Sequence, residues 1–197
     1  MHDLKEPCPS ALFIIGGVSV TLKYSIISVF LGFFIGSFLA LFKTSHIRFL
    51  VLFADGYTSI FRGTPLLIQL STIYFAIPQI LAIKIPILFA GIIAFSLNSG
   101  AYVSEIIRAG INAVDKGQFE AATALGIPSL INELINIVKE SAIISFLGEE
   151  DLIRRATMVA QEQFDFFTPM LISAFCYYLI VLMLARLAKI VENRMAL

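Results

Sequence analysis

Four polar residues recur on one face of a long apolar stretch. Asn98, Glu105, Arg108 and Asn112, with Ala101 among them, stand at offsets of 0, 3, 7, 10 and 14, a spacing that lines up one side of a helix. Glu105 and Arg108 are three apart, close enough to pair. A second set, Asn132, Glu133, Asn136, Lys139 and Glu140, falls within an arc of about 120° at helical periodicity. Amides, carboxylates and cations arranged in two such rows can exchange hydrogen bonds with a polar solute step by step. They can also simply bond to each other across neighbouring helices. Ionisable groups set in apolar segments are costly and usually face a cavity or a partner, which favours a lined route. Gln69 stands apart from both rows, in an apolar stretch of its own. Bond-breaking chemistry has little to work with. There is no phosphate-binding Gly-x-x-x-x-Gly-Lys-Ser/Thr loop and no GxSxG elbow, and His2 and His46 are the only histidines, which leaves no HExxH zinc site. Ser99 or Ser104 beside Glu105 is the single pairing of nucleophile and base at such depth. No catalytic residue and no metal ligand is assigned.

The elements that must hold these rows follow from composition. Of 197 residues, 58% are hydrophobic and only 14% charged, with mean hydropathy +0.90, against roughly a quarter charged in a soluble domain. The excess calls for a bilayer as second solvent, and about 20 helical residues cross one. Uncharged stretches of that length occur at Tyr24–Phe42, Gly63–Ile83, Ile85–Ser104 and Phe166–Ala185. A fifth, Ser129–Gly148, contains the second polar row and is expected to cross with that row turned to protein or water. Cys8 and Cys176 are too far apart in sequence for a CxxC site and read as unpaired thiols. The first ten residues lack a basic n-region and cleavage site, so the apolar stretches read as mature spans.

Five crossings put the two ends on opposite sides. With the N-terminus outside, eight basic residues fall inside (Lys43, Arg48, Arg62, Arg108, Lys116, Arg186, Lys189 and Arg194) and five outside (Lys5, Lys23, Lys84, Arg154 and Arg155), in the sense of the positive-inside rule. Charges balance at 14 of each sign, which excludes a nucleic-acid partner on charge grounds. Ser28, Gly32, Gly36 and Ala40 repeat every fourth residue in the first span, a row that admits a close helix neighbour without naming it.

The segment 113–128 then lies in the cytoplasm. Asp115 with Gln118 three residues on can open a short helix. Glu120-Ala121-Ala122 propagates it, Gly126 suits the position after its last turn, and Pro128 ends it. A helix of about two turns showing Phe119 and Leu125 is expected there.

Glu120-Ala121-Ala122-x-x-Leu125-Gly126 resembles the EAA loop of ABC-importer permeases. Arg62-Gly63-Thr64-Pro65-Leu66-Leu67-Ile68-Gln69, Asn98-Ser99-Gly100-Ala101-Tyr102, Glu105-Ile106-Ile107-Arg108-Ala109-Gly110 and Lys139-Glu140-Ser141 are similar to the polar amino-acid (histidine/glutamine) branch, and most of all to glutamine-transport permeases. The likeness covers nearly the whole chain. It implies an all-α membrane protein of the type I importer-permease fold, one domain over 1–197 with about five transmembrane helices, in a bacterial inner membrane. It implies ABC ATPase subunits that receive the EAA helix, an external amino-acid-binding protein, and a second permease copy or sister subunit. Carried onto this chain, Glu120, Ala121, Ala122 and Gly126 would touch the ATPase. Asn98, Glu105, Asn132, Glu133 and Asn136 would line the path, and ATP would be hydrolysed on another chain, with no cofactor held here.

One departure stands out. The family has a second short helix and an Ile-x-Leu-Pro element after the EAA helix, whereas here Pro128 leads straight into Ser129-Leu130-Ile131. About twenty residues, five to six helical turns, are expected to be missing between Pro128 and Ser129. That leaves a second reading open, a membrane protein that keeps the permease fold without transporting.

Overall fold

The computed structural model of the chain describes residues 7–112 and 119–195. No strand occurs among the described residues. Their helices are α1 (Pro7–Lys43), α2 (Arg48–Gly63), α3 (Leu66–Ser71), α4 (Ile77–Leu81), α5 (Ile87–Asn112), α6 (Phe119–Glu140), α7 (Leu152–Gln163) and α8 (Phe167–Met195). By length and hydropathy, α1, α5 and α8 can each cross a bilayer, and α2 with the run through α4 makes a fourth crossing if the bent pair is one span. The second polar row lies on α6. That helix packs against α5, α8 and α1, as the expected fifth crossing would.

The expected span Gly63–Ile83 corresponds to the helical run Leu66–Leu81, and a sharp bend stands at its start. The chain turns through 102° between α2 and α3, because Pro65 holds Thr64 extended (φ −117°, ψ 142°) by the clash of its ring with the residue before it. The Gln69 amide fastens the bend, donating to Phe61 O at 2.8 Å and Thr64 O at 3.0 Å. Gln69 is therefore buried structure. A π-helical turn, Thr72–Ala76, joins α3 to α4.

The partner of the small-residue row is α5. A Cβ on Gly32 would sit 2.7 Å from the Ser99 Cβ, and one on Gly36 would sit 2.6 Å from the Val103 Cβ. In return, a Cβ on Gly100 would meet Ile35 at 2.6 Å and one on Gly91 would meet the Tyr24 ring at 2.5 Å. The contacts keep step along both chains, so the helices run parallel with backbones close, as small-xxx-small rows permit. Tyr24, Leu66, Leu70, Phe95 and Ile144 fill the core beside this seam.

Two further features differ from expectation. The helix that begins at Phe119 does not stop at Gly126 or Pro128 but continues to Glu140. An interior proline costs about 3 kcal/mol and one hydrogen bond. With no residues between Pro128 and Ser129 to form a separate turn, helical continuation is the shortest path into a segment held by α5 and α8. The second is α7, which the span count passes over. Its buried Leu152, Ala156, Val159 and Ala160 follow helical spacing and pack on Ile14 of α1. Asp151 caps it, accepting the Arg154 N–H at 2.8 Å, while Gly17 lets the Asp151 backbone approach so closely that a Cβ there would lie 2.7 Å from it.

Candidate functional site

The polar arc of α6 divides along its length. Asn132, Asn136 and Lys139 are exposed, whereas Glu133 is buried and faces Ser99 of α5. Glu140 is half-buried, and its Oε2 accepts from Asn98 Nδ2 of α5 at 3.4 Å. One edge of the arc thus seals α6 to α5 through polar groups, and the other stays open. Asn136, Lys139, Glu140 and Ile143 line a cavity of about 400 Å³. An amide, an ammonium and a carboxylate around such a space can meet an amide or the two charged ends of an amino acid. Glu140 entered the sequence reading as part of the arc and of the Lys139-Glu140-Ser141 motif; its contact with Asn98 spans two helices and is invisible to spacing.

The α5 row runs from this contact towards Asn112 at the end of α5 and becomes ionic. Glu105 Oε2 accepts from Arg108 Nη2 at 2.6 Å and Nε at 3.0 Å, the i,i+3 pair that the spacing anticipates. Glu105 Oε1 accepts from Lys43 Nζ of α1, and Arg62 Nη1 of α2 lies 3.8 Å from the same oxygen. The Arg62 guanidinium also stacks over the Tyr102 ring, 5.4 Å from its centroid. Lys43 completes its shell with Thr58 Oγ1 at 2.8 Å and Asp55 at 3.4 Å. Sequence counting treats Lys43 as one more inward-facing charge, yet its side chain is 2% exposed.

Ser99 and Ser104 are fully buried, and the Ser104 hydroxyl donates to Ala101 O at 2.8 Å, away from Glu105. No nucleophile–base pair forms there. Among the described residues no group of three or more His, Cys, Asp or Glu is placed to hold a metal. Glu120, Ala121, Ala122 and Gly126 fall within the first turns of α6. The expected opening residues Asp115 and Gln118 lie outside the described residues.

Comparison with known proteins gives consistent matches. The family model described as "Binding-protein-dependent transport system inner membrane component" matches residues 28–130. A putative glutamine transport system permease protein of Rickettsia conorii is 58% identical over 206 positions, covering 95% of this chain and 94% of the relative. The arginine transport system permease protein of Bacillus subtilis is 42% identical over 212 positions, covering 98% and 97%. A chain in a crystal structure of an amino acid ABC transporter with histidines superposes with TM-score 0.90 at 36% identity, over 98% of this chain and 99% of that one. The alignments also measure a shortage. The 206 positions take up 95% of 197 residues, about 187, so about 19 positions of the Rickettsia relative have no counterpart here. The Bacillus alignment, with 212 positions on 98% of the chain or about 193 residues, leaves the same shortfall.

Proposed function

The chain belongs to the family of binding-protein-dependent transport system inner membrane components, and on that premise we propose that it moves glutamine inward along the polar groups shared by α5 and α6. It is the permease subunit of an amino-acid ABC importer, a multi-pass membrane protein whose ATP is hydrolysed on a separate subunit. The observation that carries the route is the open edge of α6, where Asn132, Asn136 and Lys139 remain exposed on a helix packed among apolar spans. A polar face left open inside a membrane bundle is best satisfied by water, a polar solute or a second permease. Asn98 and Glu133 back that edge from the α5 side, and Glu105 marks its inner end. Three amides along the way suit a neutral amide side chain, which the relatives named for glutamine support.

The remaining assignments follow the family. Glu120, Ala121, Ala122 and Gly126 form the ATPase contact, the N-terminus lies outside and the C-terminus inside. A second permease, copy or sister, completes the pathway, and an external binding protein supplies the amino acid. Reconstitution with ATPase and binding protein in liposomes tests the whole, with glutamine-stimulated ATP hydrolysis and uptake as the expected result. ATP hydrolysis indifferent to glutamine, with no uptake, would overturn it.

A second reading rests on the shortfall of about 19 positions and on α6 running unbroken through Pro128. In it, the coupling helix has lost its elbow and the chain keeps the permease fold without transport. Insertion of a family-like segment after Pro128 separates the two: rescue of uptake in an otherwise inactive chain supports this reading, and uptake by the unaltered chain removes it.

A further inference from the structure

Lys43 is the last residue of α1, a favourable place for a cation at a helix C-terminus. An ammonium has three donors, and here each has an acceptor. Glu105 of α5 takes one; Thr58 at 2.8 Å and Asp55 at 3.4 Å, both of α2, take the others. One buried group thus ties the end of α1 to the middle of α2 and to α5 two turns before its end. Two other ties join α2 to α5: Tyr57 OH to Leu97 O at 2.7 Å, about two turns along α5 from Glu105 by helical rise, and the half-exposed Arg62, 3.8 Å from Glu105 and over the Tyr102 ring; neither reaches α1. Beyond Glu105, α5 has only two further turns before Asn112, where the coupling segment begins.

We propose that Lys43 is a positioning residue for ATP coupling: through Glu105 and Thr58 it holds the end of α1, the middle of α2 and the last turns of α5 as one body, so that displacement of the coupling segment moves the polar row of α5 rather than bending the α5 terminus alone. This rests on the importer reading. The geometry also says why the tie can be cut cleanly. Without Lys43, Glu105 keeps both bonds from Arg108. Asp55 is 58% exposed and solvated, and the Thr58 hydroxyl still donates to Ala54 O at 3.0 Å. Lys43→Met therefore strands no buried charge and should fold. Thr58→Val removes the nearer of the two α2 acceptors and leaves Asp55.

Two measurements decide. In proteoliposomes with the ATPase, Lys43→Met should lower glutamine moved per ATP hydrolysed by about fivefold, the scale of ordinary coupling between sites. The half-saturating glutamine concentration should stay as in the parent, and Thr58→Val should shift the ratio the same way by less. A purely structural role would reduce the amount of folded complex and leave the ratio per complex unchanged, which would overturn the proposal. The second measurement needs no transport. Gly56 and Gly110 have nothing within 4 Å of an added Cβ, so cysteines there can carry spin labels once Cys8 and Cys176 are replaced. The α2–α5 distance distribution should be narrow in the parent and broadened in Lys43→Met. An unaltered distribution contradicts the tie even if the parent fails to transport, an outcome that would count against the importer reading alone.

Discussion

Asn98 of α5 and Glu140 of α6 meet at 3.4 Å, amide to carboxylate, where the two polar rows of the chain converge. Asn98 is 4% exposed, so its amide depends on this contact, while the half-buried Glu140 also faces the cavity. If so, Asn98→Asp should set two carboxylates against each other and lower the thermal midpoint and uptake. Adding Glu140→Gln should restore a donor–acceptor pair and recover both. A double-mutant cycle should give a coupling of about 1–3 kcal/mol, typical of contacting residues. Additive effects of the two changes would place the side chains apart.

The glycines of the α1–α5 seam should divide by surroundings rather than by helix propensity. Gly32→Leu and Gly36→Leu force side chains into Ser99 and Val103, and overpacking of this kind costs about 1–3 kcal/mol or prevents folding. Gly56, interior to α2 with open space around it, should gain about 0.5–1 kcal/mol on change to Ala. Thermal unfolding in detergent checks both, and the opposite order would dissociate the seam from these residues.

Asp151 gives a pH dependence with a definite sign. Burial pushes its carboxyl up from an ordinary 3.8 to about 6, against the lowering pull of the Arg154 N–H that it caps. The folded chain then holds this proton more tightly than the unfolded chain. Its contribution to stability is full below 3.8 and is lost as pH rises through about 6. Asp151→Asn keeps a good helix cap and removes the titration. The variant should match the parent near pH 4 and exceed it near pH 7 by on the order of 2 kcal/mol, read as thermal midpoints or as amide exchange in α7. A parent that is the more stable of the two near pH 7 would mean the ionised form is favoured.

The sequence was most legible where a property lives on one helix. The two polar rows, the Glu105–Arg108 pair and the close-packing row of α1 all follow from periodicity, and the structure retains them. Contacts between helices were not legible. Lys43, Thr58 and Glu105 lie far apart in the chain, so a buried ion joint looked like surface charge. The break before Pro65 was open to inspection, since Thr64 precedes a proline, but a hydropathy count does not weigh backbone sterics. The run through Pro128 went the other way: local stop signals were present, and downstream packing of α6 on α5 and α8 overrode them. Short α7 carries too few apolar residues to register as a span, although Asp151 and the helical spacing of Leu152, Ala156 and Val159 mark it.

The most direct test of the route is uptake of labelled glutamine by proteoliposomes holding ATPase and binding protein, with the parent compared to Asn136→Leu. Asn136 is exposed and lines the cavity beside Glu140, and Glu133, which it bonds, keeps Ser99 as a partner, so the change should leave the fold intact and put an apolar group in the way. ATP-dependent uptake by the parent and its loss in Asn136→Leu, with the assembled complex still recovered, is the expected result. Uptake by Asn136→Leu at the parent rate would contradict a path along the open edge of α6.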